Sequence, residues 1–426
     1  MTPEELFLLH KDDVRFNTSY PLRPQDWARY RTDVPLSFAD EDRLSFYIHI
    51  PFCKSLCRFC EYVKYPIPDE PTQVRYLEIV DRDIANFINT LPQTAILKGF
   101  DIGGGTPTAL SHKALSRLLL IMNDHADMLG VSSDFVGSIE ASFSTIDKEK
   151  IELIARYGRY IKRISFGLQN VSEKWLNSQN RTNGSRHQIV KTIEDCRKAG
   201  IRIVNLDLIY GFAGQRLEDF KSTIEFLFQI MPEHLTLYEL RCNMLNDKSH
   251  ASAEDCFEQY SYLYEAITSL GYTGYFGCNT FSLIGDDGVS SYLHHRMIPN
   301  GSYKGFGISA QSKSHQGIAY NIGKHHLSLE QCLGKGTFEI NGDYYRLPQE
   351  ELAAKYIAIC GYCGQFSIAK LSEITNHDYS MELQFLKKNG FLNISNDLIT
   401  ITPKGFRYYG AVYSLFFPPR FDDTHN

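Results

Sequence analysis

Six short apolar runs, each followed by a longer stretch of helical periodicity, constrain this chain more than any other feature of it. The runs are Phe46–Ile50, Ile96–Ile102, Phe135–Ala141, Arg163–Leu168, Ile203–Tyr210 and His234–Leu240. Leu77, Val80, Ile84, Phe87 and Leu91 recur at helical spacing between the first two. Ile189, Ile193 and Cys196 do the same later, with Ser185 placed to cap the helix and Gly200 to end it. Phe220, Ile224, Leu227 and Met231 form another such stripe. Parallel strands need a crossover between neighbours, and a helix supplies it. The series therefore predicts an α/β fold with helices outside a parallel sheet, either open or curled into a partial (βα)6 TIM-like barrel.

Four regions follow from this pattern. Residues 1–45 carry Pro21, Pro24 and Pro35 with scattered charges, and read as an extended segment lying on the main body. Residues 46–285 hold the barrel, with a helix near Ala253–Leu270 and an aromatic strand, Tyr272–Phe276, at its end. Residues 286–345, with the Gly305–Gly307 stretch, connect onward and complete the site. Residues 346–426 form a mostly helical domain whose Leu386–Phe406 reads as helix, hairpin (Leu392–Ile401) and helix, the outline of a winged helix. DNA binding is the less favoured reading of that outline, because the chain carries a net charge of −6. A packing or lid domain suits it better. No stretch of 18 apolar residues crosses a membrane and the start resembles no secretory signal, so a cytoplasmic setting is expected.

Chemistry concentrates just after the first run. Cys53, Cys57 and Cys60 stand in C-x3-C-x2-C spacing, while the chain's ten cysteines are too dilute for a disulfide scaffold. Three thiolates on one short loop converge on one centre. A structural zinc wants four closed ligands, and no fourth Cys or His follows within the loop. Three ligands suit a [4Fe–4S] cluster that keeps one iron open; a zinc knuckle is the alternative. Gly103-Gly104-Gly105-Thr106-Pro107-Thr108 follows the second run and lets backbone approach a ligand closely. Polar residues recur at the ends of later runs: Glu140, Gln169, Asp207 and Arg241. Strand C-terminal ends are where parallel barrels build their sites.

Together these residues resemble the radical S-adenosylmethionine (SAM) superfamily and, within it, the oxygen-independent coproporphyrinogen III oxidase family. The resemblance rests on Tyr47-Ile-His-Ile-Pro-Phe-Cys53, the GGGTPT run, Ser165-Phe-Gly-Leu-Gln169, Asn180-Arg181 and Asp207-Leu-Ile-Tyr-Gly211, with Thr18-Ser-Tyr-Pro21 near the start. It implies that Cys53, Cys57 and Cys60 hold a [4Fe–4S] cluster whose open iron is chelated by SAM. One electron then cleaves SAM to methionine and a 5′-deoxyadenosyl radical, which abstracts hydrogen from the substrate. It also implies two SAM molecules. Tyr47, Gly104, Glu140 and Gln311 would contact the first. Phe59, Gly105, Thr106, Gln169, Arg181, Asp207 and Arg241 would line the second.

Two departures matter. The oxidase branch carries a further cysteine where this chain has Tyr62, and the haem-chaperone branch carries His-Asn-x-x-Tyr-Trp where this chain reads Tyr292-Leu-His294-His295-Arg-Met-Ile-Pro. The resemblance thus implies a tetrapyrrole substrate, with a two-SAM methyltransferase or cyclopropanase and a haem-binding chaperone as alternatives. A low-potential donor such as flavodoxin or ferredoxin would supply the electron. A monomer is expected, with neither nucleic acid nor membrane as partner. His294 and His295 are read as a surface loop pair, and Cys360 and Cys363 as core thiols on a helix. Cys196, Cys242, Cys256, Cys278 and Cys332 are scattered and receive no role.

Overall fold

The computed structural model describes residues 1–11, 24–240, 249–323, 327–340 and 342–418. Thr18–Pro21, Arg241 and Cys242 lie outside them. The six expected strands form at β1 (Arg43–Ile50), β2 (Ile96–Gly104), β3 (Gly137–Ala141), β4 (Ile161–Gln169), β5 (Ile203–Tyr210) and β6 (His234–Glu239). All six pair in parallel and in chain order. Helices α1 (Glu70–Ile88), α2 (His112–Leu129), α3 (Lys148–Tyr157), α4 (Arg186–Lys198) and α5 (Glu218–Ile230) make the crossovers. Ser185 caps α4 in a reciprocal capping box with Gln188, as its position predicts. Leu91 falls beyond the end of α1.

The two faces of the parallel sheet differ at every second residue. Phe46, Ile48, Phe100, Ile102, Ile164, Phe166, Leu206 and Leu235 are fully buried and belong to the core under the helices. The alternate positions, among them Tyr47, Asp101, Ser138, Glu140, Arg163, Ser165, Asn205, Asp207, His234 and Thr236, are polar and lie on the inner face. A fully buried parallel strand normally reads as a continuous apolar run. Here the period of two survives because the inner face surrounds polar chemistry.

Beyond β6 the sequence reading needs correction. Tyr272–Phe276 is not a strand; β7 is Thr280–Ser282, antiparallel to β6. The aromatic residues turn instead to packing: the Tyr272 hydroxyl donates to the Pro232 carbonyl, and Phe276 meets Tyr260, Tyr264 and Phe406 edge-on. The stretch before Gly305 supplies a seventh parallel strand, β8 (Ser302–Phe306), which pairs with β1. Three antiparallel strands, β9 (Gln311–Ser314), β10 (Gly317–Tyr320) and β11 (Asp343–Arg346), extend the sheet from there.

Helix α6 (Ala253–Ser269) packs beside α5. Helix α7 (Ser291–Met297) lies across the inner face of β1 and β2. Gly99 on β2 permits this contact, since a Cβ there would stand 2.2 Å from the Tyr292 backbone nitrogen.

The C-terminal region holds α8 (Gln349–Cys360), α9 (Ile368–Ile374) and α10 (Ser380–Lys388) with an antiparallel sheet of β12 (Gln365–Ser367), β14 (Leu398–Ile401) and β13 (Leu392–Ser395) in that order. This is the winged-helix outline, and its Phe406 packs on Tyr260 of α6 at 4.4 Å between ring centroids. The chain's start is not wholly extended. Thr2 and Glu5 form a capping box, Pro3–Leu9 is helical, and Phe7 stacks on Phe391. No described helix is long and apolar enough to cross a membrane.

Candidate active site

The cysteine loop leaves the C-terminal end of β1 and is fastened on both sides. Phe52–Cys53 pairs with Tyr65–Pro66, and the Tyr65 N–H donates to the Pro51 carbonyl at 2.7 Å. On the opposite side residues 179–181 clasp it. The Arg58 N–H donates to the Gln179 carbonyl, the Asn180 side-chain amide to the Leu56 carbonyl, and Arg181 Nη1 to Cys57 Sγ at 3.7 Å. Asn180 holds a left-handed φ of 55° to make this turn. Cys53 Sγ lies 3.7 Å from Thr106 Oγ1, and Lys64 Nζ donates to the Cys60 carbonyl at 2.6 Å.

Cys53 and Cys57 are buried, and Cys60 is half-buried. Burial pushes the Cys53 thiol up to about 11, with the Thr106 hydroxyl partly offsetting it. Cys60 is raised by the same cause, against the nearby Lys64 charge. Without a cation these two sulfurs hold their protons; a bound metal centre removes them.

Beneath the loop lies the glycine run. Gly104 has a φ of +111°, and a Cβ on it would come 2.5 Å from His49 Nδ1. A Cβ on Gly103 would meet the Glu140 carboxylate at 2.6 Å, and one on Gly105 the Ile50 and Phe52 backbone at 2.8–2.9 Å. The glycines therefore let the strand end pass directly between Glu140, His49 and the cysteine loop. His49 is buried and burial drops it to about 4. Its Nε2 faces the Val63 carbonyl at 3.2 Å, so Nδ1 is the acceptor for the Tyr47 hydroxyl at 3.3 Å.

The inner face carries two tiers of polar groups. In the upper tier the Glu140 carboxylate accepts the Gly104 N–H at 3.1 Å. Glu140 is open to solvent yet ringed by protein, and this setting, with the charge of Asp207, pushes its carboxyl up to about 8. Asp207 is raised by burial, with Arg163, Asn205 and Ser165 pulling the other way. It accepts from Asn205 Nδ2 at 2.8 Å and Ser165 Oγ at 3.2 Å.

Gln169 follows a bulge in β4 and takes a left-handed φ of 64°. Its side chain folds over Gly167, and its Oε1 is buried with no partner among the described residues. In the lower tier Arg163 donates to Ser138 Oγ at 3.1 Å and to His234 Nδ1 at 3.3 Å, and His234 Nε2 meets Asp286 at 2.9 Å.

The expected site residues thus fall into three groups. Tyr47, Gly104, Glu140 and Asp207 share the inner face. Gly105, Thr106, Gln169 and Arg181 gather under and beside the cysteine loop. Phe59 is partly buried against an apolar cluster of Trp175, Ile209, Phe212 and Leu240. The Gln311 side chain is spoken for, accepting from the Tyr303 hydroxyl and donating to the Tyr320 hydroxyl at 2.7 Å. That leaves its backbone for any ligand. His295 is no surface residue: it is buried, bonds Ser45 Oγ at 2.9 Å, and packs against Gly301. His294 is half-exposed and paired with Asp287. Cys360 and Cys363 are core thiols at the end of α8 and in the turn after it. Sequence reading missed His49, Asp101, Arg163, Ser165 and Asn205. Their signal was the period-two alternation of polar residues within the runs.

Comparison with known proteins decides the family. Residues 47–227 match the family model of the radical SAM superfamily. The haem chaperone HemW of Lactococcus lactis is 30% identical over 296 residues, covering 67% of this chain and 74% of the relative. The chain belongs to the radical SAM superfamily. HemW of Bacillus subtilis is 26% identical over 87% of this chain and 98% of its own. The oxygen-independent coproporphyrinogen III oxidase of Synechocystis is 24% identical over 97% and 94%. The solved structure of coproporphyrinogen III oxidase (HemN) from Escherichia coli superposes with a TM-score of 0.71 at 20% identity, covering 98% of this chain and 95% of that one.

The cofactors of the radical SAM superfamily are a [4Fe–4S] cluster and SAM, and the residues present fit them. One tetrahedral ion would draw three sulfurs to roughly 3.8 Å of one another. Among the described residues only one trio of His, Cys, Asp or Glu donors converges within 4.8 Å, and it is not this loop. Cys53, Cys57 and Cys60 bring three free thiols to one strand end, the protein donor set of a cluster that keeps one iron open. The glycine cradle and the partnerless Gln169 oxygen lie beside it, where a ligand of that cluster would rest.

Proposed function

We propose that this protein is a radical SAM enzyme acting on a tetrapyrrole. Cys53, Cys57 and Cys60 hold the cluster, and the fold's inner face holds SAM. When bound, this pair supplies one-electron cleavage of a sulfonium and hydrogen abstraction from a substrate carbon. The chain's own residues do the rest. Glu140, once ionised, accepts from the amino or ribose groups of SAM, and the Gly103–Gly105 backbone lies flat enough to let it approach. Tyr47, bonded to His49, closes one side of the chamber. Arg181, Gln169, Thr106 and Asp207 line a second pocket for a carboxylate-bearing or hydroxyl-bearing molecule, with Phe59 as a further residue. Water is excluded by the α7 residues packed beneath.

The observation that carries this reading is the juxtaposition of a three-thiol loop with raised-pKa carboxylates on one inner face. The substrate class is supported by the names of the relatives, a haem chaperone and a coproporphyrinogen III oxidase, both of which handle tetrapyrroles. Tyr62 stands beside the loop, half-exposed, near the His49 ring. A thiol from the fourth position of the oxidase branch is absent there, so another outcome than oxidative decarboxylation remains in play: methyl or methylene transfer from a second SAM. The similarity to HemW favours a third, haem carriage, although the buried His295 is closed to an axial role.

The test is anaerobic. The protein is reconstituted with iron and sulfide and given SAM and dithionite, with and without coproporphyrinogen III. Release of 5′-deoxyadenosine is the expected result. Carbon dioxide marks oxidation, S-adenosylhomocysteine marks methyl transfer, and a Soret band on haem addition without turnover marks carriage. A fully loaded cluster that yields no 5′-deoxyadenosine under any of these conditions overturns the enzymatic reading.

A further inference from the structure

A second group of donors converges far from the cysteine loop in sequence. Glu239 ends β6, His250 follows it after the segment 241–248, and Cys256 lies in the first turns of α6. Their ligand atoms all lie within 4.8 Å of one another, and among the described residues no other His, Cys, Asp or Glu trio does so. Glu239 and Cys256 are buried, and the His250 side chain is 12% exposed.

Each donor is held in place independently. His250 is pinned to the strand end by backbone bonds on both sides, from the Ala213 N–H to the Ser249 carbonyl at 2.7 Å and from the Ala251 N–H to the Gly211 carbonyl at 2.8 Å. Cys256 is fixed by its place in the first turns of α6, where its thiol faces the Ala251 carbonyl at 4.0 Å. Gly211, at a φ of +90°, has no side chain to separate them: a Cβ there would stand 3.3 Å from Cys256 Sγ and 3.5 Å from Glu239 Cγ.

The outer contacts have the form that metal sites use. His250 Nδ1 bonds the Ala251 carbonyl at 2.6 Å, which leaves Nε2 to face the Glu239 carboxylate at 3.3 Å. A ligating imidazole characteristically donates its other N–H to a backbone carbonyl in this way. The Tyr409 hydroxyl donates to Glu239 at 2.9 Å and orients the carboxylate, and Tyr210 approaches it at 3.5 Å. A simple His–Glu ion pair accounts for two of the donors but gives no reason for a sulfur to complete the triangle.

We propose that Glu239, His250 and Cys256 form a metal site for a single divalent ion of the zinc class, separate from the cluster. Nitrogen, oxygen and sulfur donors together suit zinc, with water as the fourth ligand. Binding releases the Cys256 proton and the proton shared by His250 and Glu239, so that the ion's two charges are balanced by one thiolate and one carboxylate. The buried site stays neutral with or without the ion, and two protons stand in for the metal when it is absent. Through Tyr409 the ion ties the C-terminal helix Tyr409–Ser414 to the rim of the parallel strands.

The test uses the full chain with its cluster reconstituted. After passage over a chelating resin the protein is titrated with zinc against a chromophoric chelator, with iron and sulfide counted in the same sample. One zinc per chain is expected. Its X-ray absorption edge, which the cluster iron does not overlap, should show one sulfur with nitrogen and oxygen neighbours. Cys256→Ser and Glu239→Gln should each weaken zinc binding at least 100-fold while leaving the iron content unchanged. Absence of stoichiometric zinc overturns the site. So does a shell of three sulfurs, which means zinc has entered the Cys53 loop, or full affinity in Cys256→Ser. Should the variants fail to fold, the shell seen in the unaltered protein decides alone.

Discussion

The two ends of the parallel strands are built from the same polar alphabet to opposite purposes. At the N-terminal ends, charge is answered by protein: Arg163 donates to Ser138 and to His234, and His234 passes a hydrogen bond to Asp286. Because Arg163 can only donate, His234 Nδ1 must accept, which fixes a neutral ring protonated on Nε2. At the C-terminal ends, neither Glu140 nor Asp207 makes an ion pair among the described residues, and both carboxyls are raised. Gln169 leaves a buried oxygen without a partner. Neither tier is wholly satisfied, since Asp101 Oδ1, level with Ser138 and Arg163, is also buried without a partner among the described residues; the difference is that the carboxyls of the upper tier have no charged partner, which suits a ligand.

The largest effects expected belong to the loop above the C-terminal ends. Cys53→Ala, Cys57→Ala or Cys60→Ala should each abolish cluster assembly, read as lost iron, sulfide and visible absorbance. Full retention in any of them would remove that thiol from the centre.

Next comes the lower tier. His234→Ala strands a buried guanidinium and should cost about 2–4 kcal/mol in chemical denaturation. Its SAM affinity, measured on the folded fraction, should stay within about twofold, since a stability residue is not a binding residue. A large loss of affinity with unchanged stability would erase the distinction between the two ends.

The mirror experiment is Glu140→Gln. It should weaken SAM binding about tenfold, roughly 1.4 kcal/mol, and leave the melting temperature and the iron content as they were. Equal affinity in the variant would take Glu140 out of the site.

A pH series sharpens the same point with the smallest effect. Glu140 titrates at about 8 in the empty protein, and its ionised form is the acceptor. SAM affinity should therefore rise with pH up to about 8 and level off above it. At one unit below that value it should be about fivefold weaker than the plateau, since the neutral side chain keeps about a tenth of the affinity. The Glu140→Gln variant should show no such slope. In the unliganded protein the sign reverses for folding. The raised carboxyl holds its proton more tightly folded than unfolded, so its contribution to stability declines as pH climbs from its ordinary value near 4.5 towards 8.

Much of this was legible in the residues. The six strands lie within a few positions of the apolar runs that announced them, because each run is local and bounded by a helical segment. The seventh, Ser302–Phe306, was not. It is five residues long, leads into Gly305 and Gly307, and gains its place only by pairing with a strand some 250 residues earlier. Tyr272–Phe276 misled for the opposite reason: its aromatic rings have strand propensity, but helix α6 and Phe406 offered them better burial.

Within the site, Cys53, Cys57, Cys60, Glu140 and Asp207 were readable from spacing and position. Arg163 and Asn205 were not singled out, since a lone polar residue in an apolar run looks like an interruption until the opposite strands show it repeated. The apolar neighbours of Phe59 come from three other stretches of chain, which no local motif reveals.

Helix α7 carries one more consequence. Tyr292 stacks on Tyr47 with ring centroids 5.7 Å apart, and Ser290, the cap of that helix, bonds Asp101 on the inner face at 2.5 Å. The floor of the reaction chamber is thus furnished by a segment that enters the sheet's hollow from elsewhere in the chain, while the walls come from the strands themselves. Walls and floor are nevertheless joined: His295 bonds Ser45 of β1, and Ser291 exchanges hydrogen bonds with the Val136 backbone just ahead of β3, so a change in the floor is felt at two strands.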